Sequence, residues 1–99
     1  MDDLRQWLGS LDRPVTYAEA LQAMGIDHMQ DLTQALEILM EQDVAAGRPL
    51  LAARVVSRSH PLPGRGFFDK ARALGLLIED EGAFHRAQLA ALGKATPTP

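Results

Sequence analysis

Apolar residues recur at helical spacing through the first half of the chain. The first apolar stripe runs over 4–11, which predicts a helix that an aspartate caps and that ends before Pro14. Thr16 and Glu19 have the spacing of a capping box, in which each side chain satisfies a backbone amide at a helix start. A second, short helix is therefore predicted to begin there and to stop at Gly25.

A third and longer helix is predicted over about 30–46. Apolar side chains line one side of this segment, and Gly47 followed by Pro49 ends it. Two helices joined by a tight turn, the second one longer, have a helix-turn-helix outline. The preceding helix completes a tri-helical core.

The pattern changes character after Pro49. The run 50–57 contains two adjacent valines, with arginines at Arg54 and Arg58, and this pattern favours a strand with one exposed face. A lone strand needs a partner, which is a returning wing strand, the segment 76–79 or a second copy of the protein. The stretch 59–66 is rich in proline and glycine and is predicted to be a loop.

Two further helices are predicted, over about 67–75 and 81–92. The expected fold is mainly α with a small β element: a winged helix-turn-helix with a tri-helical core, a short hairpin or wing, and carboxy-terminal helices. We expect residues 1–93 to form a single domain and residues 94–99 to form a disordered tail.

The composition is that of a globular protein, with 46% hydrophobic and 23% charged residues among 99. The absence of cysteine excludes disulfides, thiolate metal sites and thiol nucleophiles, and indicates a reducing compartment. No stretch is long and apolar enough for a membrane span, and the amino end opens on Asp2 and Asp3. A cytoplasmic protein without a membrane partner is expected.

Charge is distributed unevenly along the chain. The formal net charge is −3, but residues 1–50 hold nine acids against three arginines and residues 51–99 hold seven basic residues against four acids. The basic excess is concentrated in the segment 48–72, which we call the basic segment. An anionic partner is predicted to bind there.

No catalytic or metal-binding constellation is present. His28, His60 and His85 are too far apart in sequence for a helical metal pair, and we interpret each as structural or solvent-exposed. The acidic run 79–81 lacks the graded spacing of a calcium loop and suits a solvated helix start. No nucleophile elbow or phosphate-binding glycine motif occurs. We therefore expect no enzymatic activity, catalytic residue, metal or cofactor.

Two segments carry a resemblance to a known family: Val-Thr-Tyr-Ala-Glu at 15–19 and Leu-Ala-Ala-Arg-Val-Val at 51–56. They resemble the DNA-binding domain of the alkylguanine-DNA alkyltransferases and the alkyltransferase-like proteins. In that family a T-Y-x-E helix, a recognition helix and a P-C-H-R-V-V strand form a winged helix-turn-helix that enters the minor groove. The resemblance covers about half of this chain and implies the same shape.

Departures from the family pattern exclude the family's chemistry. Ala52 stands where the family has its reactive cysteine and Ala53 where it has the activating histidine, so alkyl transfer is impossible. Gln30 and Asp31 occupy the place of the arginine on which base flipping relies. The chain also resembles small uncharacterised bacterial proteins with a G-R-P-L-L, V-V and P-G-x-G-F-F pattern. This second resemblance does not indicate a function.

The first hypothesis is a small bacterial or phage regulator of transcription that binds double-stranded DNA. The third helix would present polar side chains to base edges, the wing and the following helix would neutralise phosphates, and two residues of the resemblance would contact the DNA backbone. Acidic residues on the third helix oppose this reading. The hypothesis assigns Gln30, Thr33 and Gln34 to base edges. It assigns Arg54, Arg58, Arg65 and Lys70 to phosphates, and Thr16 and Tyr17 to the DNA backbone.

The alternative hypothesis is a protein-interaction module on a winged-helix scaffold. An acidic first half and a basic middle are complementary, so the partner is another protein or a second copy in a homodimer. Trp7, Phe67 and Phe68 are candidate anchors for such an interface.

Overall fold

A computed structural model describes residues 2–95 of the chain. The chain is mainly helical, with one small sheet, and its elements follow in the order α1 (Asp2–Gly9), β1 (Val15–Thr16), α2 (Tyr17–Met24), α3 (Met29–Ala46), a 3-10 turn (Leu51–Arg54), β2 (Val55–Val56), α4 (Arg65–Ala73) and α5 (Glu81–Ala95). The five predicted helices are therefore confirmed. Helix α5 extends through Ala95, two residues into the predicted tail, and residues 96–99 lie outside the described part of the chain.

Local capping signals set the bounds of α2 and α3. The Thr16 hydroxyl oxygen accepts a hydrogen bond from the Glu19 backbone N–H at 3.1 Å, and the Glu19 carboxylate accepts one from the Thr16 N–H at 3.0 Å. This is the predicted capping box. Gly25 and Gly47 end the two helices with φ of 65° and 70°, in the left-handed region that glycine adopts without a Cβ penalty.

The predicted strand over 50–57 is wrong for most of its length. Leu51–Arg54 is a 3-10 turn, and only Val55 and Val56 are extended. Their partner within the chain is β1, in parallel register with Val15 opposite Val55, and neither a returning wing strand nor the segment 76–79 pairs with them. Within residues 2–95 this is the only sheet, and no hairpin wing follows it.

The 3-10 turn lies at the centre of the fold, where it packs against α1, α3 and α5. Its Ala52 and Ala53 are buried, as are both valines of β2. Small side chains let three helices approach the same short turn. A strand with an exposed face cannot form there, because helices cover the segment on all these sides.

The aromatic residues of α4 belong to the core. Phe67 is 7% and Phe68 2% exposed, and their rings meet edge to face with centroids 5.1 Å apart. Trp7 is half-buried against the same core. Phe67 and Phe68 are therefore not the exposed interface anchors that the alternative hypothesis expected.

Candidate functional site

An open groove of about 310 Å³ lies between α2, α3 and the start of α4. One face of α3 forms its first wall through Met29, Thr33, Leu36, Glu37 and Met40, which recur at helical spacing. Met29 is 47% exposed, whereas Leu36 and Met40 are buried in the floor. The groove is thus largely apolar, and one methionine at its rim is open to solvent.

The start of α4 and the residue before it form the opposite wall. Gly64 donates its backbone N–H to the Tyr17 hydroxyl oxygen at 2.8 Å. A Cβ at Gly64 would lie 3.3 Å from that oxygen, so glycine permits the close approach. Gly66, one residue into α4, also lines the groove, and a Cβ there would meet nothing within 4 Å.

Tyr17 gives the apolar groove a polar group. Burial raises the pKa of its hydroxyl, an effect that the hydrogen bond from the Gly64 N–H partly opposes. Its oxygen is already an acceptor, and no acceptor for its proton lies within hydrogen-bonding distance among the described residues. The hydroxyl is therefore neutral at physiological pH and can donate to a bound group.

Acidic charge lies along the α3 side of the groove. Glu37 lines the wall and forms no ion pair within 4.0 Å among the described residues, while Glu41, one turn further on, holds Lys70 of α4 at 2.6 Å. The hydrogen bond to Glu41 raises the pKa of Lys70, and the negative charges of Glu41 and Glu37 add to the effect. The site can therefore attract a cationic group beside an apolar one.

The residues predicted to contact DNA are separated into several environments. Gln30 and Gln34 are exposed on the first turns of α3, and Thr33 faces the groove. Thr16 is engaged in the capping box and Tyr17 in the groove wall. Thr33 and Tyr17 thus line the same groove, while Gln30 and Gln34 are exposed on the helix that carries Thr33.

Arg54 does not lie on an exposed wing. It is 6% exposed, and its Nη1 donates to the Leu8 carbonyl oxygen at 2.6 Å. The guanidinium caps the end of α1, where the helix dipole favours a cation. The expected position of Arg54 on an exposed wing is therefore wrong, while its contact with phosphate stays a prediction.

Acidic residues neutralise most of the basic segment within the fold. Arg65 and Asp69 form a weak, exposed ion pair at 3.8 Å. Among the exposed cations of the basic segment, Arg58 alone forms no ion pair within 4.0 Å in the described residues. The remaining pairs are Arg48 with Asp43 at 3.1 Å, Lys70 with Glu41 at 2.6 Å and Arg72 with Glu81 at 3.0 Å. The basic excess counted along the sequence is therefore not a basic surface.

The histidines agree with the structural or exposed interpretation. His28 and His60 are exposed, and His85 is 3% exposed with its Nε2 2.7 Å from the Ala53 carbonyl oxygen. No group of three or more potential metal ligands occurs in the part of the chain that the structure describes. No helix there is both long and apolar enough to cross a membrane.

Comparison with protein-family models, with curated proteins and with solved structures returned no match to this chain. The resemblance to the alkyltransferase DNA-binding domain therefore stays a prediction. Tyr17 and Ala52, which belong to the two segments that carry it, line the same groove. Ala52 contributes a methyl group there, so this position supplies no nucleophile.

Sequence reasoning missed the groove although part of its signal was present. The P-G-x-G-F-F pattern supplies Gly64, Gly66 and Phe67 to one wall. Leu36 and Met40 belong to the apolar side that was predicted for the third helix, whereas Met29 lies just before the predicted start of that helix. The sequence does not reveal that this face is left partly uncovered between α2 and α4.

Proposed function

We propose that this protein is a non-enzymatic protein-interaction module. Its groove takes up an apolar side chain from a partner segment that also carries a lysine or arginine beside that side chain. The observation that carries the proposal is the groove itself, an apolar cavity bordered by the carboxylate of Glu37.

The lining suits a side chain of a protein partner. Met29 and Met40 are flexible and polarisable, so they adapt to ligands of different shape. The volume of about 310 Å³ is at the lower end of ligand sites, so the groove is small for a large cofactor and has room for an apolar side chain of a partner. Burying one such side chain contributes roughly 1.5–3 kcal/mol.

The charges support a cationic neighbour for that side chain. Glu37 lies on the wall without an ion pair among the described residues, and Lys70 is already held by Glu41. A basic residue in the partner would meet Glu37 as the apolar anchor enters. Such charge complementarity favours one orientation and rejects acidic segments more than it adds affinity.

A DNA-binding winged helix is the second candidate, and the exposed Gln30 and Gln34 at the start of α3 favour it. Arg58 and Arg65 are the exposed cations of the basic segment that remain for phosphate. Two phosphate contacts predict a slope of about −2 in log affinity against log salt, compared with about −4 to −5 for the four to six contacts that the sequence suggested. With a net charge of −3, such binding is expected to be weak.

The test is selection from a random peptide library displayed on phage, with the purified full-length protein as target. Enriched peptides are expected to share one large apolar residue and a nearby lysine or arginine. Gly66→Leu places a side chain over the groove, where the structure has open space, and is expected to weaken these peptides about tenfold or more. Ala73→Leu, exposed on the same helix outside the groove, is the matched control.

Charge reversal gives a second, independent readout. Glu37→Lys is expected to shift the selected peptides from basic towards acidic residues while it leaves the apolar anchor unchanged. Peptides that bind wild type and both groove variants equally would contradict the proposal. Binding of random-sequence duplex DNA at micromolar concentration, abolished by Arg58→Glu with Arg65→Glu, would favour the second candidate instead.

A further inference from the structure

A second cavity of about 370 Å³ lies on another part of the molecule, at the carboxyl end of α1. The segment 9–14 forms one side of it, and Leu89 and Gly93 of α5 form another. Arg54 contributes to the wall between them. No lining residue is shared with the groove of the proposed function.

Arg54 brings a charged group to this cavity that internal contacts satisfy only in part. Its side chain is more than nine-tenths buried, and one of its five N–H groups donates to the Leu8 carbonyl oxygen at 2.6 Å. No carboxylate lies within 4.0 Å of it among the described residues. No buried side-chain nitrogen among the described residues lacks a hydrogen-bond partner, so the N–H groups of Arg54 that do not bond to Leu8 remain accessible from the cavity.

Two further charges face the same space. Asp12 lines the cavity and acts on Arg54 through space, since its negative charge opposes the lowering of the Arg54 pKa by burial. Arg13 lines it as well, although its guanidinium is paired with Glu19 at 3.3 Å on the exposed side. Because Glu19 neutralises Arg13, the charges that remain in the cavity are the Arg54 guanidinium and the Asp12 carboxylate, and the rest of its lining is largely apolar.

We propose that this cavity binds a small monocarboxylate with an apolar body. The guanidinium of Arg54 matches the planar, two-oxygen geometry of a carboxylate. Leu11, Pro14 and Leu89 provide an apolar surface for the remainder of the ligand. Asp12 disfavours a doubly charged phosphate, which would approach its carboxylate with twice the repulsion.

The test is titration of isotope-labelled protein with hexanoate, followed by the backbone amide signals of Gly9, Ser10 and Gly93. Hexanoate is expected to shift these signals in a saturable manner, whereas hexanamide and inorganic phosphate shift them little. A pentapeptide that ends in leucine with a free carboxylate, compared with its amidated form, distinguishes a chain terminus from a free acid as the source. Equal shifts by hexanoate and hexanamide would overturn the proposal.

Substitution of Asp12 tests the charge without removing a structural contact, because that residue is exposed. Asp12→Asn is expected to tighten hexanoate binding about two- to fivefold, the range that an exposed charge pair supplies. Asp27→Asn makes the same change in net charge away from the cavity and is expected to have no such effect. Equal affinities of these two variants would contradict the placement of the anion.

Arg54→Lys is expected to weaken hexanoate binding at least about tenfold, because lysine lacks the planar fork. Circular dichroism establishes that this variant is folded, and the Asp12→Asn result decides the question if it is not. Gly66→Leu is expected to leave hexanoate binding unchanged. Failure of this proposal and failure of the proposed function are therefore distinguishable.

Discussion

Substitution of Asp43 is expected to be the most damaging change to a charged residue in this protein. Its side chain is 1% exposed at the end of α3, yet it carries a carboxylate. One oxygen accepts from Arg5 Nη1 at 2.8 Å and from Arg48 Nε at 3.1 Å, and the other accepts from the Leu51 backbone N–H at 3.2 Å. The carboxylate thus joins α1, α3 and the start of the 3-10 turn.

The three donors set the expected cost of Asp43→Ala. The Leu51 N–H loses its side-chain acceptor, which costs about 1–3 kcal/mol, and the charged hydrogen bond from Arg5 is worth about 1.5–3 kcal/mol. Arg48, which is 52% exposed, returns to water at a cost below about 1 kcal/mol. We expect a loss of about 3–5 kcal/mol, the range measured for breaking a buried ion pair, from a total of roughly 5–15 kcal/mol.

Urea unfolding followed by circular dichroism measures this loss as a change in the free energy of unfolding. Asp43→Asn keeps one oxygen acceptor and is expected to cost about 2 kcal/mol. Asp69→Ala, which removes an exposed carboxylate 3.8 Å from Arg65, is the control and is expected to change stability by less than about 0.5 kcal/mol. A cost below about 1 kcal/mol for Asp43→Ala would refute the reasoning.

Three further predictions concern the groove wall and the helix ends. Burial raises the pKa of Tyr17 above its ordinary value of 10.0. The stability that the neutral Tyr17 hydroxyl contributes is therefore fully present below that pH, and it is lost as the pH rises through the pKa of the folded state. Tyr17 is the only tyrosine, so the tyrosinate absorbance follows it alone, and titration at the ordinary value would contradict the prediction. Gly47→Ala, at φ 70°, is expected to lower the free energy of unfolding in urea by about 1 kcal/mol. Gly66→Ala inside α4 is expected to raise it by about 0.5–1 kcal/mol, because alanine restricts the unfolded chain. Equal effects of the two substitutions would argue against the backbone explanation. Thr16→Ala is expected to cost about 1 kcal/mol through loss of the capping hydrogen bond, and an unchanged unfolding midpoint would disprove that role.

Charge shows how far a count along the sequence can mislead. The basic segment has a clear excess in the sequence, but Lys70 meets Glu41 and Arg72 meets Glu81 once the helices pack. Residues 29 and 9 positions apart have no pairing pattern that a sequence displays. Ion pairing between elements therefore weakens the charge argument for DNA binding, which stays a prediction.

The sequence by itself determined the helices and their ends. Capping depends on neighbours within a few residues, so Thr16 with Glu19, and the glycines at positions 25 and 47, predicted the bounds of α2 and α3. The apolar spacing of each helix was equally local. These signals need no knowledge of the rest of the molecule.

Only the tertiary structure decided what became of the segments between helices. The run 50–57 has the composition of a strand, but three helices pack against it. Its first half therefore forms a buried turn, and its two valines pair with β1, some 40 residues away in the chain. The same packing buried Arg54 and left the groove open beside Tyr17. Burial and cavities depend on contacts between elements that are distant in sequence, and a pattern of neighbouring residues does not specify those contacts.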